Sequence, residues 1–240
     1  MANPTAAMLV IGDEILSGRT RDANMFHLAG RLTEHGIDLQ EVRVVSDEPD
    51  AICNAVKALS EGYDHVFTSG GIGPTHDDIT ADNVARAFDT PIDIREDARA
   101  LLQARYDSHG IELNDARLRM ARIPDGATLI DNPVSAAPGF TIQNVHVMAG
   151  VPKIFETMLE GLLPTLSGGA PVHSVALDIF RGEGDVAAPL TALTQKYSDL
   201  SFGSYPFRHE GGYACNIVIR GTDESRLNTA LEELKVATGQ

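Results

Sequence analysis

The sequence is poor in cysteine, in basic side chains and in long apolar runs, and each shortage excludes a class of protein. Two cysteines, Cys53 and Cys215, stand far apart in 240 residues. This excludes a disulfide-stabilised scaffold and predicts two buried thiols in a reducing cytosol. No apolar run reaches about 18 residues, and no cationic segment leads into an apolar one. We therefore expect a cytoplasmic protein with neither a membrane span nor a secretory leader.

The chain is also strongly acidic. It has 19 Lys and Arg against 34 Asp and Glu, a formal net charge of -15, and its basic residues are scattered. Such a chain repels nucleic acid and anionic membranes, so we expect neither as a partner. A hydrophobic content of 43% is typical of a folded protein, and the length allows one large domain or two small ones.

Short apolar runs alternate with amphipathic helical patterns over the first two thirds of the chain. This order predicts an α/β domain over residues 1–168, with a doubly wound, mostly parallel sheet. The expected strands cover 8–11, 39–45, 64–68, 127–130, 139–142 and 145–148. The expected helices cover 25–32, 52–59, 81–88 and 151–163, with a charged helical insertion at 95–122.

The composition changes at residues 167–171 (SGGAP), which we interpret as a linker. A strand, a helix, two strands and a helix are expected after it. The pattern predicts a small α+β module over 172–240, with half of a ferredoxin-like unit.

A glycine-rich loop, SGGIGPTHDDIT at residues 69–80, joins the third strand to the next helix. Backbone N–H groups converge on anions at such turns, and glycine allows close approach and positive φ. The loop contains neither Gly-Lys-Ser/Thr nor G-x-G-x-x-G, so it is neither a Walker A loop nor a dinucleotide fingerprint. We predict that Gly71→Val abolishes diphosphate binding with little loss of stability. The candidate ligand-binding residues of the loop are Gly70, Gly71, Gly73, Pro74, Thr75, Asp77 and Thr80.

Acidic pairs follow three successive strands, at 13–14, 47–48 and 77–78. Three acidic loops on one rim of a sheet repel one another unless they share a proton or a cation. Hard divalent cations suit carboxylate and phosphate oxygens, so Mg, Mn or Co is expected with Asp13, Asp47 and Asp78 as ligands. Alternatively, Glu14 and Glu48 cap helices or are simply solvated.

Three further segments offer polar or anion-binding positions. Ser17, Asp22 and Asn24 could contact a ligand, or Asp22 could only cap the following helix. Asn132, Pro138 and Gly139 lie in rigid turns, whereas Gly150 and Pro152 precede a helix whose N-terminus favours anions. Loop geometry alone is the other interpretation of these positions.

Four ordered segments carry a family resemblance. They read IGDEILSG at 11–18, GGIGPTHDDIT at 70–80, NPVSAAPGF at 132–140 and AGVP at 149–152. They resemble the motifs of the MoaB/Mog-type molybdopterin-binding domain, in the version found in the N-terminal domain of CinA proteins. The resemblance spans roughly residues 5–165.

The resemblance implies a pocket for a pterin or a nucleotide pyrophosphate, and a homo-oligomer, either dimer or trimer. Asp47 and Asp78 match the aspartates of Mog-type adenylyl transfer, which implies that they are catalytic. Gly12 and Asp13 lie in the opening motif and are expected at the ligand. The small module also resembles the one that follows the CinA N-terminal domain, and the amidase domain of full-length CinA has no room in 240 residues.

The sequence is compatible with two functions. The acid pairs favour a hydrolase that cleaves a nucleotide diphosphate such as ADP-ribose or FAD with a divalent metal. The alternative is a non-hydrolytic protein that binds molybdopterin, or one that adenylylates it. Ser135, Ala149 and Ile154 depart from the usual Gly, Pro and Glu, and these departures favour the alternative.

Overall fold

The computed structural model describes residues 3–240. The chain divides into two units, of which the first ends at Gly169 and the second spans Ala170–Gln240. The first unit contains the strands β1 (Thr5–Ile11), β2 (Asp38–Val45), β3 (His65–Ser69), β4 (Ile92–Ile94), β5 (Arg122–Pro124), β6 (Thr128–Ile130), β7 (Gly139–Ile142) and β8 (Val145–Met148). Its helices are α1 (Asp13–Leu16), α2 (Asn24–His35), α3 (Pro49–Gly62), α4 (Thr80–Ala87), α5 (Glu96–Ser108), α6 (Asp115–Leu118) and α7 (Pro152–Leu162).

Six strands form one sheet in the order β2-β1-β3-β8-β7-β6. β2, β1, β3 and β8 run parallel, and β7 runs antiparallel to both of its neighbours. The register pairs Val10 with Ser69, and Ser69 with Met148, so these strands end level with one another. The predicted mostly parallel sheet is confirmed, and the loops after four parallel strands share one edge.

The sheet is covered on both faces, as a doubly wound fold requires. On β1, Ala7, Leu9 and Ile11 pack with residues of α3, α4 and α5. The alternate residues of the same strand, such as Met8, pack with α2 and α7. A strand with successive side chains buried in two cores must be apolar throughout, which explains its uninterrupted apolar sequence.

Local signals set the ends of two helices. Gly36 closes α2 with φ of 71°, and Pro49 begins α3. Glycine tolerates the left-handed conformation, and proline at a first helical position leaves no N–H group unsatisfied.

The insertion is more than a helical segment. α5 and α6 lie within it, and a 3₁₀ turn follows at Arg119–Ala121. β4 and β5, at its two ends, pair antiparallel as a separate ribbon. The sequence predicts neither of these strands nor the single turn of α1. β6, also of three residues, is predicted, but β4 and β5 contain charged residues or proline, and such short segments then show no periodicity.

The second unit contains β9 (His173–Ile179), α8 (Glu183–Lys196), β10 (Ser201–His209), β11 (Gly212–Gly221) and α9 (Glu224–Thr238). Its antiparallel sheet has the order β10-β11-β9, and the apolar faces of both helices pack against it around Cys215 and Ile217. The predicted α+β module is therefore present. Within residues 3–240, no helix has both the length and the apolar character that crossing a membrane requires.

Candidate functional site

A cleft of about 540 Å³ opens at the edge where the parallel strands end. The loops after β1, β2, β3 and β8 line it, together with the turn before β7. The candidate residues on its wall are Gly12, Asp47, Gly70, Gly71, Gly73, Pro74, Asp77, Asp78, Asn132, Gly150 and Pro152. Asp13, Ser17, Thr75, Thr80, Pro138 and Gly139 do not line it.

The glycine loop is held in a conformation that excludes side chains at two positions. Gly70 and Gly71 have φ of 108° and 67°. A Cβ on Gly70 would lie 2.3 Å from the Ile11 carbonyl oxygen, and one on Gly71 would lie 2.1 Å from Thr80 Oγ1. Thr80 is buried, donates its hydroxyl to Gly70 O at 3.0 Å and donates its N–H to Gly71 O at 2.9 Å. Thr80 therefore anchors the loop from behind.

The same loop presents unpaired donors. Within the described part of the chain, the N–H groups of Gly71, Ile72 and Gly73 have no hydrogen-bond acceptor. All three residues line the cleft. Successive free amides in a glycine turn can bind an anion, and that role remains the prediction made for this loop from the sequence.

Asp78 is oriented by its own loop. Thr75 donates both its N–H group and its hydroxyl to Asp78 Oδ2, at 2.8 and 2.6 Å. One carboxylate oxygen is thus engaged by two hydrogen bonds from Thr75. Thr75 acts on the site through Asp78 and does not line the cleft itself.

Asp47 lies among other acidic groups. It accepts the Asp13 N–H group on Oδ2 at 2.9 Å. Burial raises the pKa of the Asp47 carboxyl, and the charges of Asp13, Glu14 and Asp77 raise it further, against the opposing effect of that hydrogen bond. The surroundings of Asp47 therefore disfavour its ionised form, and a bound cation would stabilise that form.

The carboxylates do not form a ready-made metal cage. Among residues 3–240, no three side chains of Asp, Glu, His or Cys are grouped so that they could hold a metal ion. Mg²⁺ and similar cations commonly bind through one or two carboxylates and complete their shell with water and substrate phosphate. The acidic cleft fits a cation of that kind, provided that the ligand supplies oxygens.

The turn before β7 is stabilised by Asn132, which is buried. Its Nδ2 donates to Ser135 Oγ at 2.7 Å and to Ala137 O at 2.8 Å, and its Oδ1 accepts the N–H groups of Val134 and Ser135. Ser135, one of the departures from the family pattern, thus has a structural partner. At Gly139 a Cβ would lie 2.2 Å from Val147 O, so that glycine serves strand packing.

Asn24 connects two loops of the site. Its Nδ2 donates to Ser69 Oγ at 2.7 Å and to Gly150 O at 2.8 Å. Asp22 Oδ2 accepts the N–H group of Met25 at 2.9 Å, which is the helix-capping interpretation of that residue. Ser17 is exposed directly after the short α1, with its hydroxyl 3.4 Å from Glu14 O.

Arg119 was not among the sequence candidates. It lies in the 3₁₀ turn of the insertion and lines a small cavity that also involves Gly71, Gly73 and Asp78. About forty residues of sequence separate it from the loop, and no local pattern marks it. Only the folding of the insertion onto the loop reveals it.

Two larger grooves contain none of the candidate residues. One, of about 790 Å³, lies along α8 and α9, and the other, of about 610 Å³, surrounds His65 and His146. Size alone therefore does not identify the site. The 540 Å³ cleft is distinguished by its free amides and clustered carboxylates.

Comparison with known proteins agrees with this geometry. Residues 7–168 match the family model described as "Probable molybdopterin binding domain". The chain therefore belongs to the molybdopterin-binding domain family, and the resemblance seen in its motifs is confirmed. Residues 171–240 match a second model, described as "FAD synthase, middle domain".

Individual relatives cover different shares of the chain. A protein of Sulfurisphaera tokodaii is 33% identical over 246 aligned positions, which cover 96% of this chain and 93% of that protein. A protein of Metallosphaera sedula is 38% identical over 164 residues, which are 66% of this chain and 62% of the relative. The chain thus spans less than two thirds of the latter relative's length.

Among solved structures, the protein CinA of Thermoplasma acidophilum is similar to the first unit. It superposes with a TM-score of 0.63 at 35% sequence identity, covering 68% of this chain and 97% of that one.

Proposed function

We propose that the protein binds a nucleotide diphosphate in the 540 Å³ cleft and hydrolyses it with the help of a divalent cation. The observation that carries the proposal is the pairing of three free amides with carboxylates in one cleft. Amides suit the phosphate oxygens, and the carboxylates suit a cation that accompanies them. ADP-ribose and FAD are the proposed substrates, and the match of residues 171–240 to an FAD synthase domain supports a flavin nucleotide.

Each group has a definite role in this proposal. The amides of Gly71, Ile72 and Gly73 hold the diphosphate. Asp47 and the second oxygen of Asp78 would hold the cation, whereas Asp13, predicted from the sequence as a third ligand, lies off the cleft wall and contributes only its N–H group to Asp47. The cation, when bound, supplies charge neutralisation at the phosphate oxygens.

Asp78 also orients the attacking water and accepts its proton. Water oxygen bonds to the phosphorus of the AMP portion, and the bond from that phosphorus to the bridging oxygen breaks. ADP-ribose plus water then gives AMP and ribose phosphate, and the proton left by the water is released from Asp78 to solvent.

A second candidate function is non-hydrolytic binding or adenylylation of molybdopterin. The family match over residues 7–168 favours it, because the description of that model names this ligand. The two candidates use the same cleft and differ in whether water attacks the bound diphosphate.

Product analysis separates the candidates. The purified protein is incubated with ADP-ribose or FAD and with Mg²⁺, Mn²⁺ or Co²⁺ in turn, and AMP is measured by chromatography. We expect AMP from at least one substrate. No AMP with any metal, together with tight binding of molybdopterin, would establish the second function instead.

The variant Asp78→Asn tests the catalytic role of Asp78, because it changes the charge of the side chain with little change in its shape. Asparagine keeps an oxygen to accept the Thr75 hydrogen bonds but carries no charge. We expect an unchanged melting temperature and a rate of AMP release lower by about 10²-fold or more. A folded variant that releases AMP at the wild-type rate would show that Asp78 has no catalytic role.

A further inference from the structure

The cleft carries charge of one sign. Glu14, Asp47, Asp77 and Asp78 line it, and none of the described residues on its wall is Lys, Arg or His. A diphosphate entering such a cleft meets four carboxylates. A cation can offset part of this repulsion, but a fixed positive group beside the glycine loop would offset it without depending on metal.

Two arginines, Arg119 and Arg122, border a small cavity beside that loop, and Arg122 is already paired with Asp82. Arg119 lines this cavity of about 20 Å³ beside the cleft, and five residues line both the cavity and the cleft. The shared residues are Gly71, Ile72, Gly73, Asp78 and Met120. Arg119 therefore reaches the same loop whose amides have no acceptor.

The guanidinium is also incompletely paired. Arg119 Nη2 donates to the backbone oxygen of Asp78 at 3.3 Å, a long contact, and Nε is buried with no hydrogen-bond partner. A buried donor without an acceptor lowers the stability of the fold, so the unpaired Nε of Arg119 requires an explanation. Arg119 forms no ion pair with any residue in the described part of the chain. The same holds for Arg105 and Arg117 of the insertion, but neither of these has a buried guanidinium nitrogen without a partner. Other nearby arginines pair with carboxylates. Those paired with carboxylates are Arg86, Arg95, Arg99 and Arg122.

We propose that Arg119 binds a phosphate oxygen of the ligand and so completes the anion site of the glycine loop. This inference rests on the proposed function, because it assigns the recognition of the diphosphate in the same cleft. Arginine suits the task, since its planar fork of donors matches the oxygens of phosphate and keeps its charge at all physiological pH values. The chemical class of ligand is a phosphate or pyrophosphate group, whatever the organic part attached to it.

The test uses inorganic pyrophosphate with Mg²⁺ and, separately, ADP-ribose with Mg²⁺, measured by titration calorimetry on the full chain. Arg119→Gln is compared with Arg99→Gln, which removes the same charge from an exposed ion pair with Glu96 in the same insertion. We expect Arg119→Gln to weaken binding of both probes by roughly 10- to 100-fold, the usual effect of losing a charge-assisted hydrogen bond. Arg99→Gln should bind like the wild type.

A melting curve accompanies each variant, because Arg119 also contacts the Asp78 carbonyl. If Arg119→Gln unfolds at the assay temperature, Arg119→Lys replaces it, since lysine keeps the charge but lacks the fork. A loss of about tenfold is expected for that variant. Undiminished affinity for pyrophosphate in either folded variant overturns the inference.

The outcomes also separate this inference from the proposed function. Binding of pyrophosphate that depends on Arg119, without release of AMP from ADP-ribose or FAD, supports Arg119 as a phosphate ligand and refutes hydrolysis. Hydrolysis that proceeds with the same KM in Arg119→Gln supports the proposed function and refutes the role of Arg119. If the wild-type protein binds no pyrophosphate, the role of Arg119 is refuted as well.

Discussion

Asp47 shows how a single residue can be placed at a cost to stability. Burial and three neighbouring carboxylates raise the pKa of its carboxyl in the folded protein. The folded state therefore holds the proton more tightly than the unfolded state does, and ionisation of Asp47 disfavours folding. This penalty is present at pH values above the folded pKa and disappears as the pH falls below the unfolded value of about 3.9.

We predict that Asp47→Asn melts at a higher temperature than the wild type at pH 7. The asparagine oxygen can still accept the Asp13 N–H group, so the hydrogen bond is kept while the charge is removed. The difference in melting temperature should shrink as the pH is lowered to about 4 and below. Thermal melts of both proteins from pH 3 to 8 measure it, and a variant less stable than the wild type at pH 7 would contradict the strain assigned to Asp47.

Much of the candidate site could be predicted residue by residue, because its positions follow directly from strand ends. Asp47 and Asp78 were expected at one rim, and both line the cleft. Thr80 and Gly139 were expected at the ligand, but they lie behind the wall and serve the loop and the strand. A motif shows which residues occur together and not which of them face the solvent. Arg119 could not be predicted at all, since its neighbours come from a distant segment.

At the scale of the elements, the glycine loop matters most for function. Its amides remain free because Thr80 and the strand end hold the backbone in place. The sequence alone predicts that Gly71→Val leaves stability almost unchanged. A Cβ on Gly71 would lie 2.1 Å from Oγ1 of buried Thr80, which favours the opposite expectation.

We therefore predict that Gly71→Val loses stability and ligand binding together. A β-branched residue at φ of 67° is strained, and its side chain must displace Thr80. Together these effects should destabilise the fold by on the order of 2 kcal/mol or more, and the melting temperature should fall by roughly 5 °C. Gly161→Ala in α7 is the control, because a Cβ there meets no atom within 4 Å. A Gly71→Val protein as stable as the wild type would show that the loop can move away from Thr80.

The longer elements could be predicted because their periodicity extends over several turns or a whole buried strand. β4 and β5 could not, since Asp93 interrupts one and Arg122 and Pro124 the other, which leaves no apolar pattern; they pair with each other, and Ile123 of β5 is buried in the core. The antiparallel direction of β7 also has no signature of its own. It follows from the short turn into β8, which leaves no room for a crossover.

At the scale of the whole molecule, the family match and the net charge both imply that an anionic ligand needs accompanying positive charge. A domain of the molybdopterin-binding family carries an acidic cleft, and the chain as a whole has a net charge of -15. An anionic ligand can be held there only if positive charge accompanies it or lies beside the loop. Assembly into a dimer or trimer stays a prediction. Light scattering after gel filtration measures the mass of the particle in solution and so tests it.

The central claim is that a diphosphate and a cation bind this cleft together. Titration calorimetry with ADP-ribose, in the presence and absence of Mn²⁺, tests it most directly, with Mn²⁺ alone as a third titration. Since no three carboxylates are grouped to hold a metal among the described residues, we predict weak binding of Mn²⁺ alone. ADP-ribose should bind at least about tenfold more tightly when Mn²⁺ is present, because phosphate oxygens complete the metal shell. Equal affinity for ADP-ribose with and without Mn²⁺, or tight binding of Mn²⁺ by the protein alone, would contradict the claim.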